Sequence, residues 1–315
     1  MDLCRLLFII GLVITPVSCS KENNKYDPDD DPVIPYREWS STKKVVVSSF
    51  GRLGFKHQST ALYGDYAFFV ADGRAEICMY SMERKCKLYT LTLQGKDPTV
   101  YHCNQSTFGV DKYLPSDPFP LLYISQRAGS EGRCFTEVFR IVTSSEDFDS
   151  PDFSFSVELV QTIYFPIMTN DNSMGNVNVV IDTERGMLYT YSRNNNPFEQ
   201  TYSQCRISQF DIPDIYEKAV YLKDDDILSS FMADYSAFNM QGGCIHEGIL
   251  YVGQGYFTVG YIVLNVIDLE KRKQIRQMNL MSSGVYWEPE GCFFYGSCVM
   301  LAETEAIHEM HKKNK

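Results

Sequence analysis

No apolar run in this chain reaches the roughly 20 residues that a helix needs to cross a bilayer. The strongest candidate, Leu6 to Ile14, is too short, and Pro16 follows it closely. Positive charge is also scarce, with 29 Lys and Arg against 40 Asp and Glu for a net charge of -11. Phosphate backbones require a basic face, so nucleic acid is excluded as a partner. The ten cysteines contain no CxxC pair and no zinc spacing. A GxSxG elbow, a Walker loop and an HExxH motif are all missing. His308-Glu309-Met310-His311 lacks the i, i+4 histidine spacing, and Gly253-Gln254-Gly255 lacks the third glycine of a dinucleotide loop. Asp27, Asp29, Asp31 and Glu38 imitate a calcium loop, but Pro32 stands where that loop needs glycine. No metal and no cofactor are expected on these grounds, with a cation in a central channel left open. Long amphipathic helices are absent too; one short helix is expected around Ile227 to Met232.

What is present begins at Cys19. Arg5 precedes the apolar run, Thr15-Pro16-Val17-Ser18 leads into the cysteine, and the chain then turns polar at once. A short apolar segment, small residues and a polar tract form the layout of a secretory signal. The cysteine resembles the lipid-modified residue of bacterial lipoproteins. Residues 1–18 are therefore read as the signal, with lipidation at Cys19. Residues 19–40 form an acidic, proline-bearing tether that is too polar to bury a core. Residues 41–315 remain as a single domain.

That domain reads as strand after strand. Tyr66-Ala67-Phe68-Phe69-Val70, Leu121-Leu122-Tyr123-Ile124, Met187-Leu188-Tyr189-Thr190-Tyr191 and Ile249-Leu250-Tyr251-Val252 are β-branched or aromatic runs between turn residues. The pattern repeats. The segments from His57, Gln241 and Pro289 each start polar, continue as a short strand, turn at a glycine (Gly64, Gly248, Gly296) and resume as an apolar strand. Ile181 to Tyr189, turning at Gly186, is a fourth copy, and Pro118 to Ile124 supplies a fifth second strand. Units of about 50–65 residues with four strands each describe a β-propeller blade. The expectation is an all-β propeller of five blades, with six as the alternative. The early strand Val45 to Phe50 is expected to complete the last blade and close the ring.

The Gln241-Gly242-Gly243 copy, the hairpin Val266-Ile267-Asp268-Leu269-Glu270-Lys271-Arg272-Lys273 and the Glu288-Pro289-Glu290-Gly291 copy, together with the lipoprotein-type start, resemble surface lipoproteins of the Bacteroidetes. Their propellers are described as TolB-like or NHL-like and often have six blades. The resemblance implies an outer-membrane or cell-surface location, with the lipid as the membrane contact. Its motifs mark fold more than function.

The innermost strand of each blade lines the central channel, and its start lies at one mouth. The repeats place His57, Gln58, His102, Asn104, Asp182, Gln241, Glu288 and Glu290 at such starts. A ring of imidazole, amide and carboxylate groups suits a polar ligand; the same groups also suit satisfaction of backbone ends and channel water. The sequence favours a protein that binds a glycan, peptide or protein partner over an enzyme. A carboxylate-dependent glycoside hydrolase or lyase is the first alternative, and a structural scaffold of the envelope is the second. Cys78 with Cys86, and Cys292 with Cys298, each flank an expected hairpin and are candidates for cross-strand neighbours. The alternative for these cysteines is a small buried core role.

Overall fold

Gly64, Gly186, Gly248 and Gly296 all have positive φ, between 57° and 75°. Each closes a hairpin at the turn where the sequence pattern expects one, because glycine enters this region without a Cβ clash. In a computed structural model, the described residues are 45–52, 56–71, 76–93, 103–126, 134–145, 147–148, 153–166, 174–194, 204–236, 240–256, 261–296, 298–303 and 306–312. Contacts divide the chain into Met1–Pro32 and Val33–Lys315, and every described residue belongs to the second unit. Cys19, the tether and His102 lie outside the described residues.

Strand β1 (Val45–Arg52) comes first. Blade 1 follows with β2 (Ser59–Tyr63), β3 (Tyr66–Val70), β4 (Glu76–Ser81) and β5 (Cys86–Thr92). Blade 2 comprises β6 (Cys103–Phe108), β7 (Leu122–Gln126), β8 (Phe135–Thr143) and β9 (Phe155–Tyr164). Blade 3 starts with β10 (Met174–Asp182), β11 (Met187–Asn194) and β12 (Gln204–Asp211). From the connection that follows, β13 (Ala219–Tyr221) pairs in parallel with the outer edge of blade 2, and β14 (Ser229–Ser236) then completes blade 3. Blade 4 is β15 (Met240–His246), β16 (Ile249–Tyr256), β17 (Tyr261–Asp268) and β18 (Lys273–Asn279). Blade 5 holds β19 (Gly291–Tyr295), β20 (Cys298–Glu303) and β21 (Ala306–Lys312). Its fourth and outermost strand is β1, which pairs antiparallel with β21 from Val45 opposite Lys312 to Arg52 opposite Ala306. The ring is closed by its own N-terminal strand, and the blade count is five.

The helix expected around Ile227 to Met232 is not there. A single 3-10 turn at Asp224–Asp226 precedes strand β14 instead. Tertiary pairing with β12, where Phe231 faces Ile207, decides the conformation of a segment whose own pattern is weak.

Each blade buries both of its faces, which is why strands such as Tyr66–Val70 read as continuous apolar runs rather than alternations. Five separate cores fill the wedges between neighbouring blades. Phe68 and Met79 meet Phe108, Phe139 and Phe155 between blades 1 and 2. Tyr123 and Ile163 meet Ile181 and Phe210 between blades 2 and 3, and Tyr191 and Ile207 meet Leu250 and Val252 between blades 3 and 4. Leu264 meets Cys292 and Leu301 between blades 4 and 5. Phe69 and Tyr80 meet Phe293 and Ile307 where blade 5 returns to blade 1. Aromatic mass suits this geometry because a wedge widens outward. Phe68 alone lies edge-on to Phe108 and Phe119, at 5.3 and 5.1 Å between centroids.

The two suggested cysteine pairs are corrected by the strand registers. Cys78 lies opposite Thr90 and Cys86 opposite Ser81. Cys292 lies opposite Leu301 and Cys298 opposite Tyr295. In each hairpin the two cysteines occupy different rungs, so their side chains do not face one another.

Candidate functional site

The five innermost strands β2, β6, β10, β15 and β19 line the channel, and their two ends differ in chemistry. At the strand-start mouth, the Gln58 side-chain amide donates to Glu290 Oε2 at 2.6 Å, joining blade 1 to blade 5. Gln241 Nε2 donates to Glu288 Oε2 at 3.2 Å, joining blade 4 to the segment before β19. Gln58, Gln241 and Glu290 are all buried, and Glu288 is partly exposed. Four of the eight residues singled out from the sequence therefore do meet at this mouth. They meet as two amide–carboxylate pairs that satisfy one another, as buried polar groups must.

The remaining four fare differently. His57 is buried with its ring edge-on to Phe69 at 5.2 Å, so it packs at the margin of the core between blades 5 and 1. Asn104 is half-buried near the start of β6, and His102 lies outside the described residues. Asp182 is a correction: it ends β10 rather than starting it. Its carboxylate accepts from the Glu184 and Arg185 backbone N–H groups at 3.1 Å and from Arg185 Nη1 at 2.9 Å. It is the anchor of the β10–β11 turn, on the opposite side of the ring from Gln58 and Glu290. The reason is the length of β10, whose nine residues extend through the polar Asn176-Val177-Asn178 stretch. In sequence that stretch resembles a connection.

Glu303 supports the strand-start mouth from outside. Its Oε2 accepts from the Trp287 backbone N–H at 2.9 Å, and its Oε1 lies 2.7 Å from His308 Nε2. Burial pushes the Glu303 pKa up, but the bonds from His308 and from the Trp287 backbone outweigh it and hold the carboxyl below its usual value. The motif-like His308 thus has a structural partner. Beside it Tyr286 and Trp287 remain largely exposed, at 58% and 51%.

Between the mouths the channel is bridged. Gln105 on β6 donates through Nε2 to the Gly243 carbonyl at 2.7 Å and accepts from the Gly243 N–H through Oε1 at 2.8 Å. Blades 2 and 4 are not neighbours in the ring, so this amide spans the channel itself. Tyr191 donates its hydroxyl to the Gln241 carbonyl at 2.7 Å, and burial raises its pKa well above the ordinary tyrosine value. The hydroxyl therefore stays a donor.

The opposite mouth, where the innermost strands end at their hairpins, opens into a cavity of about 460 Å³. Thr60, Ser106, Thr107 and Thr183 supply hydroxyls to its wall, Tyr63, Phe108, Phe293 and Phe294 supply rings, and Lys112 supplies a cation. Among the described residues that line it there is no carboxylate. Thr60 and Ser106 are buried, and the hydroxyl oxygens of both lack a hydrogen-bond partner among the described residues. Cys244 and Cys292 form part of the same wall. The repeats contain the signal that would have found this wall. Thr60, Cys244 and Cys292 hold the same position in three copies, and equivalent positions in a closed ring face one channel.

No protein-family model and no curated protein matches this chain. Among solved structures it is similar to the glutaminyl cyclase of Myxococcus xanthus, at 9% identity over 85% of this chain and 96% of that one, with a TM-score of 0.46. It is also similar to an oxidoreductase from Thermus thermophilus described as a glucose dehydrogenase, at 11% identity over 85% of this chain and all of that one, with a TM-score of 0.44. A third likeness is to the hydrazine synthase of Kuenenia stuttgartiensis, at 10% identity over 78% of this chain and 61% of that one, with a TM-score of 0.39. Likenesses this distant carry neither a reaction nor a ligand onto this chain. The strand pairing itself makes it a five-bladed β-propeller, closed by its first strand.

Proposed function

We propose that this chain is a lipid-anchored surface propeller that binds a sugar-containing ligand in the cavity at its hairpin mouth. The observation that carries the reading is the lining of that cavity, where all five blades converge and rings and hydroxyls form the wall without a carboxylate. Sugars offer apolar faces to aromatic rings and hydroxyls to polar side chains, so such a wall complements them. The buried Thr60 and Ser106 oxygens favour occupancy by water or a polar ligand, since an unsatisfied buried hydroxyl costs about 1–3 kcal/mol. Lys112 at the wall gives an acidic sugar an advantage over a neutral one.

Anchoring at Cys19, and with it an outer-membrane or cell-surface location, is supported by the signal-like start and by the resemblance to Bacteroidetes lipoproteins. The glycoside hydrolase or lyase alternative draws on Asp182, a channel histidine and the pair Glu288 and Glu290. Both glutamates already accept bonds from Gln241 and Gln58, which favours a structural role for them. An array of neutral and acidic glycans, read for binding and for released product together, tests the reading. Wild-type protein should retain a glycan without cleaving it, and Thr107→Trp, which fills the cavity, should reduce retention at least tenfold. Cleavage would favour the hydrolase, and retention by both proteins would remove the cavity from the account. Metabolic labelling with a fatty-acid analogue tests the anchor, since wild type should be labelled and Cys19→Ser should not.

A further inference from the structure

Cys244 on β15 and Cys292 on β19 bring their sulfurs to 3.5 Å. The two strands belong to different sheets, the innermost edges of blades 4 and 5, and they share no backbone ladder. Side chains alone join them here. Just upstream the backbones press together, because a Cβ on Gly242 would collide with the Glu290 carbonyl. The strands therefore cannot spread around the cysteines without disturbing the strand-start mouth. We propose that Cys244 and Cys292 form a disulfide that staples blade 4 to blade 5 along the wall of the cavity.

A disulfide needs its sulfurs at about 2.05 Å, so the pair must close by about 1.5 Å. Closing that gap asks the two cysteines to rotate about χ1, and both line the cavity wall, the side from which an oxidant would approach. The oxidant is a small-molecule disulfide, RSSR. One cysteine, as thiolate, attacks it to form a mixed disulfide and releases one RS⁻. The second then attacks the protein sulfur of that mixed disulfide and releases the other. The two thiol protons end on the two RSH molecules, so RSSR is reduced as the cysteines are oxidised.

Burial raises the pKa of the Cys244 thiol well above its usual value, with its hydrogen bond to Cys292 adding to the rise. The thiolate is scarce at neutral pH, and closure should quicken as pH rises through the alkaline range. Once made, the bond closes a 48-residue separation in sequence, which restricts the unfolded chain strongly. The oxidising compartment that would make it in the cell rests on the surface location proposed above. The pairing itself does not.

The test uses purified protein treated with oxidised glutathione, quenched with acid, unfolded, alkylated and digested without reductant. The expected result is a cross-linked peptide pair containing Cys244 and Cys292, and two fewer alkylated thiols. A melting temperature several degrees higher, reversed by dithiothreitol, should accompany it. Cys244→Ser and Cys292→Ser, taken singly, should each lose that gain. The proposal is overturned if both cysteines stay alkylatable, if either pairs elsewhere, or if they carry only glutathione. It is also overturned if either variant keeps the oxidative gain. A failed glycan array leaves this result untouched, because the readout involves no ligand.

Discussion

Gln105 presents its side-chain amide to both backbone groups of Gly243 across the channel, at 2.7 and 2.8 Å. The pairing copies one rung of a β-ladder with a side chain in place of a strand, and it ties two blades that share no edge. Position 243 is also tightly packed on its other neighbours, since a Cβ there would meet the Tyr191 ring and the Tyr251 carbonyl at 3.0 Å.

Gln105→Ala should destabilise the ring by about 2 kcal/mol, because two buried backbone groups lose their partners. Gln105→Glu should cost at least as much. Its carboxylate still accepts from the Gly243 N–H but places negative charge beside the Gly243 and Ser106 carbonyls, where Nε2 now donates. Urea unfolding of both variants measures this. A glutamate variant as stable as wild type would show that the bridge carries no weight.

The Gln105 bridge also marks where the sequence stops being legible. Strands and hairpins are local: Gly64 and Gly248 announce their turns within a dozen residues, and the continuous run Tyr66–Val70 announces a strand buried on both faces. Closure by β1 was legible as well, since the last copy lacked residues for a fourth strand. That Gln58 and Glu290 share one mouth followed from equivalent repeat positions; their direct amide–carboxylate pairing, which buries Glu290, did not. Asp182 did not follow, because the polar start of β10 hides a nine-residue strand of which Asp182 is the last residue and not the first. Gln105 has no repeat signature, and its partner is 138 positions away across the channel.

Deleting residues 45–51 should leave four blades paired and strip the fourth strand from blade 5. Residues Ala306 to Lys312 would then expose an unpaired edge, and Phe50 would no longer pack edge-on to Tyr295 at 6.1 Å. An exposed flat edge invites association. Light scattering should show aggregation, or calorimetry a lower melting temperature. A monomeric deletion that melts as wild type does would remove β1 from the closure.

Acid should loosen the Trp287 segment through Glu303. The carboxyl titrates below its usual 4.5 in the folded protein, so its stabilising contribution is complete above that pH. It is lost as pH falls through the lower folded value. Glu303→Gln should therefore lower stability at neutral pH by about 1–2 kcal/mol and make the acid limb of the stability profile shallower. Fluorescence of Trp287 against pH follows the same event. An acid limb unchanged in the variant would place the titration elsewhere.

Two glycines separate close approach from backbone strain. A Cβ at Gly242 would strike the Glu290 carbonyl and the Gly291 Cα, both backbone atoms that side-chain rotation cannot relieve. Gly242→Ala must push blades 4 and 5 apart at the strand-start mouth, and should cost about 3 kcal/mol or more. At Gly64 a Cβ meets nothing within 4 Å, and the penalty comes only from φ at +57°. Gly64→Ala should therefore cost about 1 kcal/mol, the usual penalty of a left-handed alanine. Thermal unfolding of the pair gives the comparison directly. Equal penalties would mean that blades 4 and 5 part without resistance, and that the tight packing beside Gln58 and Glu290 contributes nothing to closing the ring.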